Sequence, residues 1–290
     1  MRVGIIGGTG LYRMEAQEEE PVRVATPFGP VVLRRVLWAE REVFFVARHG
    51  EQHHIPPHRV NYRANVWALK EVGVERVLSS SAVGSLRPEM RPGDLALVDQ
   101  FLDFTRGRVT SFYQGDASGV FHVDVTDPYC PELRATLAAS AARIFPAGEG
   151  DGGEGGAGGR DPHEAGQHPG PVMHPAATYV CAEGPRYETA AEIRAFRQLG
   201  GDLVGMTNVP EVVLAREAGL CYATVAVVTN LAAGLASAPL THQEVTEVME
   251  SASERLRALL QEAVRRLEPP TCACAELGGP WPPDVERAGR

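Results

Sequence analysis

The sequence predicts an α/β fold in one large domain. Three observations carry that expectation. Short apolar runs alternate with helix-length amphipathic stretches along the chain. The runs are rich in Val, Leu and Ala without strict alternation, as expected of strands covered on both faces. And 290 residues that are 44% hydrophobic suffice for one large buried core.

Strands are expected, in order, at VGII (3–6), VFFVA (43–47), RVLSS (76–80), DLALVD (94–99), TYVCA (178–182), LVG (203–205) and CYATVAVVT (221–229). Helices are expected between and after them, over 61–72, 131–143, 190–199, 209–218 and the long stretch 243–267. One segment breaks the alternation. Residues 146–171 include GEGDGGEGGAGGRD and have almost no side chains to offset the entropy of ordering, so they read as a flexible surface insertion. The domain is therefore expected over 1–268, followed by an irregular tail over 269–290 to which no function is assigned.

A formal charge of −9 gives no electrostatic reason to bind nucleic acid and favours small-molecule chemistry. No apolar run approaches the roughly 20 residues of a membrane span. The N-terminus enters a strand without a basic and apolar leader, so the protein is expected to be cytoplasmic. The five cysteines lack the dense spacing of a secreted disulfide scaffold. Cys130, Cys181 and Cys221 read as small core residues. Cys272 and Cys274 form a CxC pair, too few ligands for zinc, and are expected as free thiols or a strained disulfide.

Several short motifs carry candidate chemistry. GIIGGTG runs a strand into a Gly-rich turn whose amides and Thr9 hydroxyl suit an anion. It lacks the third glycine of a dinucleotide fingerprint, Arg13 standing there, and no Gly-Lys-Ser/Thr follows. Arg48-His49-Gly50 ends a strand with two anion-binding side chains and a residue that lets a ligand reach the backbone. His53, His54 and His58 are split by Pro56-Pro57 and cannot present a regular helical metal pair; they read as a polar wall or plain surface histidines. Ser79, Ser80 and Ser81 end a strand where open α/β sheets bind ligands. Met206 and Thr207 follow another. Gly184-Pro185, Tyr187 and Glu188 stand just ahead of an amphipathic helix and, read with Asn230, have the look of a purine pocket. Each signal alone has a bland reading as a turn, a strand end or a core residue.

Taken in order, GIIGGTGLY, ARHGEQH, NYRANVWALKEVG, GSLRPEMRPGD, QFLDFT, EGPRYET and MTNVPEVVLAREAGLCYA resemble the trimeric purine nucleoside phosphorylase and methylthioadenosine phosphorylase family over about residues 1–265. The resemblance implies a single-domain α/β fold with a central mixed, partly barrel-like sheet, assembled as a homotrimer or dimer of trimers. It implies that inorganic phosphate, as co-substrate, attacks C1′ of a purine nucleoside, with no metal or organic cofactor. Thr9, Arg48, His49, Ser81, Ala82 through its backbone, and Thr207 match the family's phosphate positions. Tyr187 matches a contact to base and sugar, and Met206 a ribose contact.

Three positions bear on the substrate. The methylthioadenosine branch has Ser or Thr after the aromatic residue and an Asp-x-Asp after the late strand, whereas this chain has Tyr187-Glu188 and Asn230-Leu231-Ala232. A carboxylate only accepts hydrogen bonds, so Glu188 suits the N1–H of a 6-oxopurine and opposes the N1 lone pair of adenine. Asn230 can donate to O6 or N7 as charge builds on the leaving base. His242 aligns with a 5′-hydroxyl contact, and His122 with a residue closing the 5′ end from a neighbouring subunit. The expectation is a phosphorylase of inosine and guanosine. The rivals are a methylthioinosine or methylthioadenosine phosphorylase, a nucleoside hydrolase, a dehydrogenase, and a purine-binding protein without turnover.

Overall fold

The computed structural model describes residues 1–8, 11, 19–115, 117–145, 172–235 and 242–285. Its strands are β1 (Arg2–Gly7), β2 (Glu19–Val24), β3 (Val31–Trp38), β4 (Arg41–Ala47), β5 (Val74–Ser85), β6 (Leu95–Phe104), β7 (Met173–Ala182), β8 (Leu203–Gly205) and β9 (Cys221–Leu231). The helices are α1 (Tyr62–Glu71), α2 (Pro131–Ile144), α3 (Ala190–Gln198), α4 (Asn208–Glu217) and α5 (His242–Arg266). Every strand and helix expected from the sequence is present. The insertion at 146–171 lies outside the described residues.

The sheet runs β2-β3-β4-β1-β5-β8-β7-β6-β9, and β9 pairs back onto β5. Strands β5, β8, β7, β6 and β9 thus close into a five-stranded mixed barrel, with β1, β4, β3 and β2 continuing as an open wing. Length makes the closure possible: β5 uses Arg76 to Ser85 against β9 on one side, and on the other gives its start to β1 and its end to β8. β1 is parallel to both β4 and β5, and β5 to β9, so four carboxyl ends open on the same side.

Helices cover both faces of β1, β4, β5 and β9, which is why those strands are apolar over most of their length. Ile5, Leu78, Leu97 and Val225 pack with Leu133 and Leu137 of α2 and with α5. Met249, Ala252, Leu256, Leu259, Leu260 and Ala263 recur at helical spacing along α5 and are fully buried. A fully buried Leu is worth about 1.5–3 kcal/mol, so the single change Leu256→Ala would cost the fold about 2–5 kcal/mol. On the other face Val77, Tyr179 and Tyr222 meet α1 and α4 through Trp67, Leu69, Val212 and Leu214.

Two strands escaped the sequence reading. β2 (EEPVRV) is exposed at four of its six positions, at the sheet edge, where charges and Pro21 are tolerated. β3 (VVLRRVLW) carries Arg34 and Arg35 within its apolar pattern. A search for continuous apolar runs passes over both.

The segment after Pro269 is irregular as expected, yet it packs onto the body. The Trp281 ring lies 4.6 Å from Trp67 and 5.3 Å from Phe112, and Tyr113 Oη donates to the Pro280 carbonyl at 2.6 Å. No helix among the described residues is long and apolar enough to cross a membrane.

Candidate active site

At the carboxyl ends of β1, β4, β5 and β9 lies a cavity of about 460 Å³. Its wall includes Arg48, His49, Ser81, Ala82, Tyr187, Glu188, Met206, Thr207 and Asn230, nine of the twelve site residues expected from the sequence. Thr9 lies outside the described residues, although the preceding Gly8 is in the wall. His242 begins α5, and its side chain also lies outside the described residues. His122 is exposed and does not line this cavity.

Arg48, just past β4, is fixed rather than free. Its Nε donates to Glu211 Oε2 at 2.7 Å, Nη2 to Glu211 Oε1 at 2.8 Å and to Ser79 Oγ at 2.6 Å, and Nη1 to the Ser80 carbonyl at 2.9 Å. Four of the five guanidinium donors are thereby used, leaving one N–H on Nη1 without a partner among the described residues. Burial opposes the Arg48 charge, but the Glu211 carboxylate outweighs it and holds the guanidinium above its ordinary range. A Cβ at Gly8 would lie 2.8 Å from Nη1, so this position lets the β1 turn close onto Arg48 only without a side chain.

His49 stands differently from the anion-binding cation its sequence neighbourhood suggests. Its Nδ1 lies 2.8 Å from the Ile55 carbonyl, which can only accept, so Nδ1 carries the proton. Burial and the neighbouring Arg48 charge pull its pKa down to about 4. At neutral pH the ring is uncharged and Nε2 is an acceptor, suited to the O–H of a hydrogen phosphate.

Ser81 and Thr207 meet through hydroxyls. Ser81 Oγ lies 3.1 Å from Tyr179 Oη and 3.3 Å from Thr207 Oγ1, while the Thr207 N–H donates to Tyr179 Oη at 3.3 Å. Burial pushes the Tyr179 phenol up to about 12, so it keeps its proton and has one donor for Ser81. The close approach depends on Gly205, where a Cβ would lie 2.1 Å from Tyr179 Oη.

The remaining wall is set by the turn after β7 and the end of β9. Gly184, at φ +70, leaves room for Met206, whose Sδ would sit 2.6 Å from a Cβ there. Thr189 and Glu192 form a reciprocal cap that starts α3, and Glu192 also takes Arg186. Glu188 Oε1 is buried with no hydrogen-bond partner among the described residues. Burial first, then repulsion from Glu192, raises the Glu188 pKa. Tyr187, 39% exposed, stands at the mouth. Asn230 is oriented by its neighbours: Thr229 Oγ1 donates to its Oδ1 at 2.7 Å, and its Nδ2 donates to the Leu231 carbonyl at 2.9 Å. The second Nδ2 hydrogen has no partner among the described residues and is available to a ligand.

Glu211, Tyr179 and Tyr222 were not singled out by the sequence reading. Tyr222 Oη and Ser79 Oγ both donate to Glu211 Oε1, at 2.7 and 2.8 Å. The only sequence signal was a carboxylate inside the apolar run NVPEVVLA. Chemically, the cavity as formed by the described residues combines an anion-sized cradle of hydroxyls, backbone and one arginine N–H with an apolar wall that carries the Glu188 acceptor and the Asn230 amide donor.

Known proteins resemble the chain over most of its length. The chain is 48% identical over 283 residues to the probable 6-oxopurine nucleoside phosphorylase of Moorella thermoacetica, covering 96% of this chain and 98% of that protein. It is 48% identical over 268 residues to the 6-oxopurine nucleoside phosphorylase of Pyrococcus furiosus, covering 91% and 92%. Among solved structures, methylthioadenosine phosphorylase from Schistosoma mansoni in complex with adenine superposes with a TM-score of 0.79 at 34% identity, covering 91% and 90%. With the family profile matching residues 2–265, the chain belongs to the phosphorylase superfamily.

Proposed function

We propose that this enzyme cleaves 6-oxopurine nucleosides, inosine and guanosine, with inorganic phosphate, giving the free base and ribose 1-phosphate in purine salvage. The observation that carries the reading is Glu188 Oε1, a buried acceptor without a partner among the described residues, in the wall of a cavity that also holds an anion cradle. A 6-oxopurine satisfies it through N1–H, and guanine adds an exocyclic amine; adenine would oppose it with a lone pair. Leaving such an acceptor unpaired costs about 1–3 kcal/mol, roughly 5- to 150-fold in preference.

In this reading Thr9, Ser81, Thr207, the Ala82 N–H and the remaining Arg48 donor hold phosphate, and neutral His49 accepts its O–H. A phosphate oxygen forms the new bond to C1′ as the C1′–N9 bond breaks and its electron pair passes into the purine. The free Nδ2–H of Asn230 meets O6 or N7 as negative charge grows there. The proton lost by hydrogen phosphate balances the one the base gains. Tyr187 and Met206 border base and ribose, and the resemblance assigns the 5′-hydroxyl to His242. No metal or organic cofactor enters these steps. In a homotrimer or dimer of trimers in the cytoplasm, exposed His122 would serve a neighbouring subunit's 5′ end.

A second reading, cleavage of 5′-methylthio nucleosides, is favoured by Val245 of α5, an apolar side chain in the cavity wall. Base release from inosine, guanosine, adenosine, methylthioinosine and methylthioadenosine, each with and without phosphate, separates the two. Phosphate-dependent cleavage led by inosine and guanosine is the expected result. Preference for adenosine or methylthioadenosine would overturn the base assignment, and turnover without phosphate would indicate hydrolysis.

A further inference from the structure

Four of the five cysteines converge at one point away from the cavity. Cys130 precedes the first turn of α2, Cys221 opens β9, and Cys272 and Cys274 come from the segment after α5. Their sulfurs all lie within 4.8 Å of one another, with Cys272 Sγ 3.3 Å from Cys221 Sγ and 3.6 Å from Cys130 Sγ. All four are free thiols; three are buried and Cys272 is half-buried.

From this convergence we infer that Cys130, Cys221, Cys272 and Cys274 form a tetrathiolate site for zinc that fastens the C-terminal segment to the barrel. Four sulfurs 2.3 Å from a tetrahedral zinc ion stand about 3.8 Å apart, a separation the cluster already brackets. Disulfides would require pairs at about 2.05 Å, and an iron–sulfur cluster spreads its cysteines over separate iron atoms. On binding, the thiols lose their protons and the four thiolates with Zn²⁺ leave a net charge of −2. Two features meet that charge. Arg216 Nη1 lies 3.6 Å from Cys274 Sγ, and Cys130 sits at the start of α2, where the helix dipole favours a thiolate.

The surroundings hold the ligands in place without metal. Thr271 donates its N–H to Glu132 Oε1 at 3.2 Å, and Glu132 also takes Arg76 at 2.7 Å, so the chain is pinned beside α2 just before Cys272. Beyond Cys274 a turn bonds Leu277 N–H to the Ala273 carbonyl at 3.0 Å, and the chain then delivers Trp281 onto Trp67. CxC alone offers two ligands; the barrel supplies the other two from positions far away in sequence.

Elemental analysis of the full-length protein, after incubation with zinc and dialysis, tests the inference without reference to nucleoside turnover. About one zinc per chain is expected. A Cys272→Ser, Cys274→Ser double variant should lose it, while Cys181→Ala, a cysteine outside the cluster, should keep it. Cobalt in place of zinc should give thiolate charge-transfer and tetrahedral d–d absorption in the unaltered chain, which holds the test open if the double variant fails to fold. Thiol titration in denaturant with chelator and no reductant should count five thiols. One or three thiols would mean disulfides, and five thiols with neither zinc nor cobalt uptake would mean a bare cluster; either result overturns the proposal.

Discussion

Glu211 closes both carboxylate oxygens on Arg48, at 2.7 and 2.8 Å, with each side chain only 1% exposed. An ion pair this deep is costly to break because the surviving charge cannot return to water. Glu211→Gln keeps the shape and removes the charge. We expect a loss of about 3–5 kcal/mol in urea unfolding. Phosphate supplies the missing negative charge, so it should raise the unfolding midpoint more in the variant than in the unaltered protein. An equal or smaller rise would show that Arg48 does not face bound phosphate.

His49 makes stability depend on pH. Its folded pKa is about 4 against 6.5 unfolded, so the unfolded chain binds the proton first. The contribution is complete above pH 6.5 and is lost as pH falls toward 4. It amounts to about 3 kcal/mol, roughly 2 kcal/mol of it gone by pH 5. His49→Gln should flatten the stability curve across that window, measured by denaturant titration at a series of pH values.

Glu188 should set base preference. Glu188→Gln turns an acceptor-only group into one that can also donate to adenine N1. Inosine kcat/KM is expected to fall by roughly 5- to 150-fold while adenosine gains relative to it. Because the Glu188 pKa is raised, inosine KM in the unaltered enzyme should climb on acidification earlier than an ordinary carboxylate would cause, and the Gln variant should lack that limb. An unchanged ratio of inosine to adenosine would remove Glu188 from base recognition.

Tyr179 serves the cradle from behind. Tyr179→Phe deletes the acceptor for the Thr207 N–H and the contact to Ser81. A cost of about 1–3 kcal/mol is expected, together with a higher phosphate KM. Gly205→Ala should reproduce the KM effect by pushing the same phenol aside; normal phosphate KM in both variants would disprove the link.

Much of this protein is determined by local sequence. Strands buried on both faces need apolar runs wherever they stand, so seven of the nine described strands and all five described helices were legible. Most of the cavity's lining was legible because strand ends and the GPRYE turn require particular residue types at adjacent positions, although Ser79, Ser80 and Ser81, expected to end a strand, stand inside β5, which runs on to Ser85. Tertiary structure decided what depends on distant partners. Nothing near Arg48 in sequence shows that Glu211 consumes two of its donors, and nothing near His49 shows that burial keeps it neutral while the Ile55 carbonyl fixes its tautomer. The edge strand β2 exists only because β3 offers it a ladder. Cys130, Cys221 and the CxC pair are separate in sequence and become one cluster only when the barrel closes and the tail folds back. Propensity and periodicity act over a few residues, whereas protonation, charge pairing and ligand sets depend on which atoms the fold brings within a few ångströms.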